Sequence, residues 1–171
     1  RDLVVLFMGQ CSVSLEENRN GYDASWAPIP VGEVKVKNAH SVLRLANRLR
    51  GLHIRQVPAA DIRLALLEAL YRNARTLQSF TFRSLAPDGG VDTDVLVALA
   101  SCTNLTSLEL TGIRGTPRAV GAIAAMLAES LPELRVLDVF NAPAEFDQFL
   151  SCAECPPLKE LSIPSLRDMT V

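Results

Sequence analysis

Aromatic residues are scarce in this 171-residue chain, 5% in all with a single tryptophan, and histidine occurs only at His40 and His53. No apolar run approaches the roughly 18 uninterrupted residues of a membrane span, and the opening Arg1-Asp2-Leu3-Val4-Val5-Leu6 lacks the layout of a signal peptide. Neither sign of charge dominates. Seventeen Lys and Arg against nineteen Asp and Glu leave a net charge of -2, without the basic excess of a nucleic-acid binder or of a protein held on anionic lipid. Four cysteines (Cys11, Cys102, Cys152, Cys155) are too few for a disulfide scaffold, so a reducing, intracellular setting, cytoplasmic or nuclear, is expected. The sequon Asn104-Leu105-Thr106 points the other way, but three-residue matches arise often by chance.

Nucleophile elbows, dinucleotide fingerprints and Walker phosphate loops are missing from the sequence as well. Asp88-Gly89-Gly90 reads as a turn with nothing around it to cradle a phosphate. Cys152-Ala153-Glu154-Cys155 is a C-x-x-C without a second pair or a nearby His, whereas a structural zinc site needs four ligands. The expectation is a protein that is not an enzyme, with no cofactor and no metal.

What the chain has is apolar residues, 49% of the total, in a recurring pattern. The pattern is apolar, two variable, apolar, one variable, apolar. It occurs as Leu49-Arg50-Gly51-Leu52-His53-Ile54, Leu77-Gln78-Ser79-Phe80-Thr81-Phe82, Leu105-Thr106-Ser107-Leu108-Glu109-Leu110, Leu134-Arg135-Val136-Leu137-Asp138-Val139 and Leu158-Lys159-Glu160-Leu161-Ser162-Ile163. An earlier copy reads Leu3-Val4-Val5-Leu6-Phe7-Met8. From Leu49 the first leucines follow at intervals of 28, 28, 29 and 24 residues. The last two apolar residues of each copy alternate as on one face of a strand. A single such strand cannot bury that face alone, so the copies are expected to stack in parallel.

Between the strands the apolar period becomes helical. Ile62, Leu66, Ala69 and Leu70 share a face after Pro58, which is suited to a first helical turn. Asp92 or Thr93 can cap a helix carrying Val95, Leu96 and Leu99. Thr116 reads as an N-cap and Pro117 as first helical residue, with Val120, Ile123, Ala124, Leu127 and Leu131 inward. The 24-residue interval leaves room for only a short helix around Glu145 to Ser151.

Strand plus helix every 28–29 residues, carried by segments such as Leu105-Thr106-Ser107-Leu108-Glu109-Leu110 through Ala125-Met126-Leu127-Ala128-Glu129-Ser130-Leu131, resembles leucine-rich repeats of the ribonuclease-inhibitor type. The resemblance implies an α/β fold: a leucine-rich repeat solenoid with a curved parallel sheet of about six strands inside and helices outside. In that family the third residue after the last strand apolar is commonly Asn or Cys. Here Cys11, Val57, Leu85, Ile113, Ala142 and Leu166 hold that position, of which only Cys11 fits, so apolar packing should seal the turns. Leu99-Ala100-Ser101-Cys102-Thr103-Asn104-Leu105 and Phe149-Leu150-Ser151-Cys152 before Pro157-Leu158 are similar to repeats of F-box-linked ubiquitin-ligase substrate receptors, although no F-box segment is present.

The expected organisation is a first repeat strand and turn at 1–11, a loop insertion with a short edge strand at 12–38, and repeats over 39–171. Residues 12–38 hold Glu16, Glu17, Asn20-Gly21, Pro28, Pro30 and Trp26; their turn-forming content reads as a loop, and Gly32 to Lys37 alternates like a strand. Such a long insertion suggests a second binding surface with Trp26 as a contact or a plug. Because neither end carries a polar cap, further repeats or subunits are expected against both ends.

Stacking would line up the variable positions. Phe7, His53, Thr81, Glu109, Asp138 and Ser162 form one column, and Gly9, Arg55, Arg83, Thr111, Phe140 and Pro164 the next. The expectation is a basic end (His53, Arg55, Arg83), an acidic middle (Glu109, Asp138) and an aromatic spot at Phe140. Such a pattern suits a protein partner bound on the concave face, with a substrate receptor of an F-box ligase as one alternative. A GTPase-activating module, through Arg83 or Arg114, is the alternative from another class.

Overall fold

A computed structural model describes residues 11–18, 21–27, 34–36, 43–44, 47–55, 59–83 and 90–163. In chain order it contains β1 (Cys11–Asn18), β2 (Gly21–Ala27), β3 (Val34–Val36), β4 (Leu49–Arg55), α1 (Ala59–Asn73), β5 (Ser79–Arg83), β6 (Val91–Asp92) and α2 (Thr93–Ala100). There follow β7 (Ser107–Thr111), β8 (Ile113–Arg114), α3 (Pro117–Ser130), β9 (Val136–Phe140), a 3-10 turn at Ala144–Asp147, α4 (Gln148–Ser151) and β10 (Glu160–Ser162).

The fold is mixed α/β. Eight strands form one sheet in the order β10-β9-β7-β5-β4-β1-β2-β3, with all neighbours from β10 to β1 parallel. Five of the apolar hexamers lie side by side in one register, Leu52 opposite Phe80, Phe80 opposite Leu108, Leu108 opposite Leu137 and Leu137 opposite Leu161. The sixth, residues 3–8, lies outside the described residues. Leu52, Ile54, Phe80, Phe82, Leu108, Leu110, Leu137 and Val139 are buried together with the inner stripes of the helices, in one core. That follows from the pattern: alternate side chains leave a strand on the same side, and the helices between successive strands cover that side.

Helix placement follows the expected faces. Ile62, Leu66, Ala69 and Leu70 of α1 are buried, as are Val95, Leu96 and Leu99 of α2 and Val120, Ala124 and Leu127 of α3. Ile123 is only partly buried. Thr116 caps α3, its hydroxyl accepting from the Ala119 N–H at 3.4 Å, with Pro117 first in the helix. Asp92 precedes α2 without a capping bond from its side chain, because its carboxylate is held instead by Arg114 at 3.1 Å. The short unit has no room for a long helix. It fills its layer with Phe146 and Phe149, both fully buried and stacked 6.0 Å apart.

The amino-terminal segment differs from the expectation. The described residues of 12–38 are strand, not loop: β1 and β2 form an antiparallel hairpin pairing Asn18 with Gly21, and β3 adds to β2. Only the short strand at Val34–Val36 agrees with the expected edge strand. The cause is local. Cys11, Val13 and Leu15 alternate with polar residues, and Asn20-Gly21 is as strong a hairpin signal as it is a loop signal. β1 therefore takes the place beside β4 that residues 3–8 were expected to fill.

The turns after β7 and β9 carry no Asn or Cys three residues beyond the last strand apolar but are not sealed by packing alone. One residue beyond β7 and one beyond β9, Gly112 (φ 77°) and Asn141 (φ 55°) adopt left-handed conformations, which glycine and asparagine tolerate best. The Gly112 N–H donates to the Phe140 carbonyl at 2.7 Å. Ile113, at the position where Asn was absent, sits in the core and belongs to β8, which pairs with β6 in a small second sheet. Backbone pairing thus satisfies groups that a side-chain amide would otherwise serve.

Units are also joined at their entry points. The N–H groups of Gln78, Thr106, Arg135 and Lys159 donate to the carbonyls of Arg50, Gln78, Thr106 and Arg135 respectively, all at 2.7–2.8 Å. Asn73, at the end of α1, is 1% exposed. Its Oδ1 accepts from the Leu49 N–H at 2.9 Å, and its Nδ2 donates to the Ala69 carbonyl at 2.7 Å. Cys102 holds the corresponding place after α2, fully buried, and burial pushes its thiol pKa up to about 12.

Candidate functional site

The sheet face away from the helices carries the variable residues. Strand register places His53, Thr81, Glu109, Asp138 and Ser162 in one row across β4, β5, β7, β9 and β10. Arg55 stands beside Arg83, and Thr111 beside Phe140, in the next row. Over β5 to β10 this face holds an open groove of about 320 Å³, lined by Arg83, Glu109, Leu110, Thr111, Asp138, Phe140 and Ser162.

Of the residues expected to contact a partner, Arg83, Glu109, Thr111, Asp138 and Phe140 are brought together here. Phe140 closes β9 and is 54% exposed, an unusual place for an aromatic side chain unless something covers it. Leu110 and Ser162 complete the lining. Ser162 belongs to the expected column, and Leu110, buried at 2% exposure with the core, also borders the groove.

The other candidates stand differently. Thr81 is 4% exposed and so offers no surface, and its hydroxyl is hydrogen-bonded to His53 Nδ1 at 3.0 Å. The pair packs against itself across adjacent strands, which withdraws Thr81 from the proposed contact set. Arg55 ends β4, with Glu16 of β1 opposite it on the other side. The row position expected for Phe7, beside His53, belongs to Ser14, and Phe7 itself lies outside the described residues. Trp26 is a strand residue of β2, opposite Val13, with β1 and β4 between its strand and the groove strands.

Charge on the groove is arranged otherwise than as separate basic and acidic zones. Arg83 Nη2 reaches Glu109 Oε2 at 2.7 Å, with both side chains partly exposed. This diagonal reach from β5 to β7 joins the expected basic end to the acidic middle. The Asp138 carboxylate has no hydrogen bond or ion pair among the described residues. Glu160, one strand further, is exposed opposite Val136. With Arg83 and Glu109 cancelling, the groove keeps one uncompensated carboxylate beside an aromatic ring.

A second cluster of charge ties the helix layer together. Arg63 of α1 grips Asp94 Oδ2 through Nε at 2.7 Å and Nη2 at 2.5 Å, and lies 3.7 Å from Asp92. Asp92 in turn binds Arg114. The hydrogen bond and charge of Asp94 raise the Arg63 pKa above its ordinary value. Both arginines considered for phosphoryl-transfer chemistry, Arg83 and Arg114, are engaged by carboxylates of this chain.

The C-x-x-C forms a turn directly after α4, the Cys155 N–H donating to the Cys152 carbonyl at 3.2 Å. Cys152 Sγ donates to Glu129 Oε1 at 3.7 Å. Desolvation, and secondarily the neighbouring Cys152, raise the Cys155 pKa, which lowers its thiolate fraction and nucleophilicity. Among the described residues no three His, Cys, Asp or Glu side chains are placed to hold a metal ion. Nor is any helix among them long and apolar enough to cross a membrane.

No family model matches the chain. Comparison with curated proteins and with solved structures likewise gives no significant match.

Proposed function

We propose that the chain is a stretch of leucine-rich repeat solenoid of the ribonuclease-inhibitor type, acting as a non-catalytic scaffold that binds a partner protein through the concave strand face. The near-regular spacing, at 28, 28, 29 and 24 residues, and the common register of the strand–helix units support the solenoid reading. The observation that carries the binding reading is Phe140, held in the open beside charged and hydroxyl side chains in a groove of the sheet. An exposed aromatic ringed by polar groups is the usual composition of a protein contact centre. Protein recognition also fits the near-balanced charge of the chain better than recognition of nucleic acid does.

The test compares proteins captured from native extract by the wild-type chain and by Phe140→Glu, identified by mass spectrometry. The expected result is a partner bound directly by purified wild type and lost in the variant, whose melting temperature is unchanged. A partner that binds both equally would place the contact elsewhere.

A further inference from the structure

We propose that the groove accepts an arginine side chain from an extended segment of the partner, its guanidinium lying between the Asp138 carboxylate and the Phe140 ring. This inference rests on the protein-binding reading and specifies the chemistry of the contact.

Three observations carry it. Asp138 and Phe140 are two residues apart on β9 and so project to the same side, about 6.6 Å apart along the strand. The Asp138 carboxylate has no partner among the described residues, whereas the neighbouring Glu109 is already held by Arg83. The hydroxyls of Thr111 and Ser162 line the same groove and can accept from the guanidinium donors that the carboxylate does not use.

Other occupants fit less well. An apolar side chain would take water from Asp138 and return no hydrogen bond. An anion would meet the Glu109 and Asp138 carboxylates, and Arg83, the one cationic residue lining the groove, is already engaged by Glu109. A lysine ammonium would satisfy the carboxylate as a compact, strongly hydrated point charge. A guanidinium is planar, more weakly hydrated, and able to stack on a ring while its edge binds a carboxylate. The side-by-side acid and ring therefore favour arginine over lysine.

The test uses a displayed library of random 12-residue peptides selected on the full chain, followed by affinity measurements with synthetic peptides. Supporting results are recovered peptides enriched in arginine whose affinity falls about tenfold or more when that arginine becomes citrulline. A smaller fall is expected for lysine, and a fall similar to that for citrulline with Asp138→Asn and Phe140→Ala. The citrulline and lysine peptides need no altered protein, so misfolding of a variant cannot decide the outcome. Peptides that lose binding with Phe140→Ala yet tolerate citrulline would overturn this inference while leaving the binding reading in place. Peptides indifferent to both protein substitutions, or no binders at all, would overturn both.

Discussion

Replacing Asn73 with alanine should destabilise the protein far more than its position at a helix end suggests. Two buried bonds disappear together, Leu49 N–H to Oδ1 and Nδ2 to the Ala69 carbonyl. The Leu49 N–H starts a core strand and has no water to turn to. An orphaned buried donor costs about 1–3 kcal/mol, and the truncated side chain adds a small void, so about 3 kcal/mol is expected in total. With a urea m value of about 2 kcal/mol/M the midpoint should fall by about 1.5 M. Amide exchange at Leu49 should accelerate in native conditions. Asn73→Asp gives an internal control. Its carboxylate keeps the acceptor for Leu49 but buries a charge, so burial raises its pKa in the folded state. Stability of that variant is then greatest in acid and declines as the pH rises through the raised value, making its deficit larger at pH 7 than at pH 4. A midpoint shift below about 0.3 M for Asn73→Ala, roughly 0.6 kcal/mol at the same slope, would refute the claim that the amide locks α1 to β4.

Two further outcomes can be checked directly. Because the folded-state pKa of Cys102 is raised from 9.0 to about 12, its contribution is complete below about pH 9 and is lost as the pH rises toward 12. Wild type should therefore lose about 1 kcal/mol relative to Cys102→Ala between pH 8 and pH 10 in urea titrations, and equal loss in both proteins would count against it. Gly115→Ala would set a Cβ 2.6 Å from Thr93 Cγ2, a clash expected to cost about 1–3 kcal/mol. Adding Thr93→Ser, which removes that methyl, should recover most of the loss in thermal melts, whereas no recovery would mean that strain lies elsewhere.

Much of the parallel sheet was legible because two periods do not overlap. Leucines at 49, 77, 105 and 134 mark strands whose inner residues alternate, and the intervening stripes recur every three or four residues. The same reasoning stopped short at residues 11–27, where polar content and Asn20-Gly21 suit a loop and a hairpin equally. Alternation at Val13 and Leu15 was the available signal. The two-residue strands β6 and β8 carry no period of their own, so pairing alone reveals them.

At the site, register was readable and reach was not. Rows of residues follow from strand spacing, so Glu109, Asp138 and Phe140 could be placed together. Whether Arg83 points to solvent or leans diagonally onto Glu109 depends on rotamers that no linear pattern encodes. Thr81 reads as available for the same reason, yet it is buried and hydrogen-bonded to His53. Asn73 carries no distinguishing sequence signal, because an asparagine closing a helix is commonplace; only its burial reveals what it holds.

The four entry bonds linking Arg50, Gln78, Thr106, Arg135 and Lys159 have a consequence for how such a chain changes length. Each of the three middle residues is donor to the unit before and acceptor for the unit after, so any segment that begins and ends at this seam is interchangeable with its neighbour in hydrogen-bonding terms. Excising residues 106–134 would leave Arg135 facing Gln78, a junction of the same kind as the one removed. Recombination between tandem copies at that point can lengthen or shorten the protein in whole steps, each seam keeping its carbonyl and its donor.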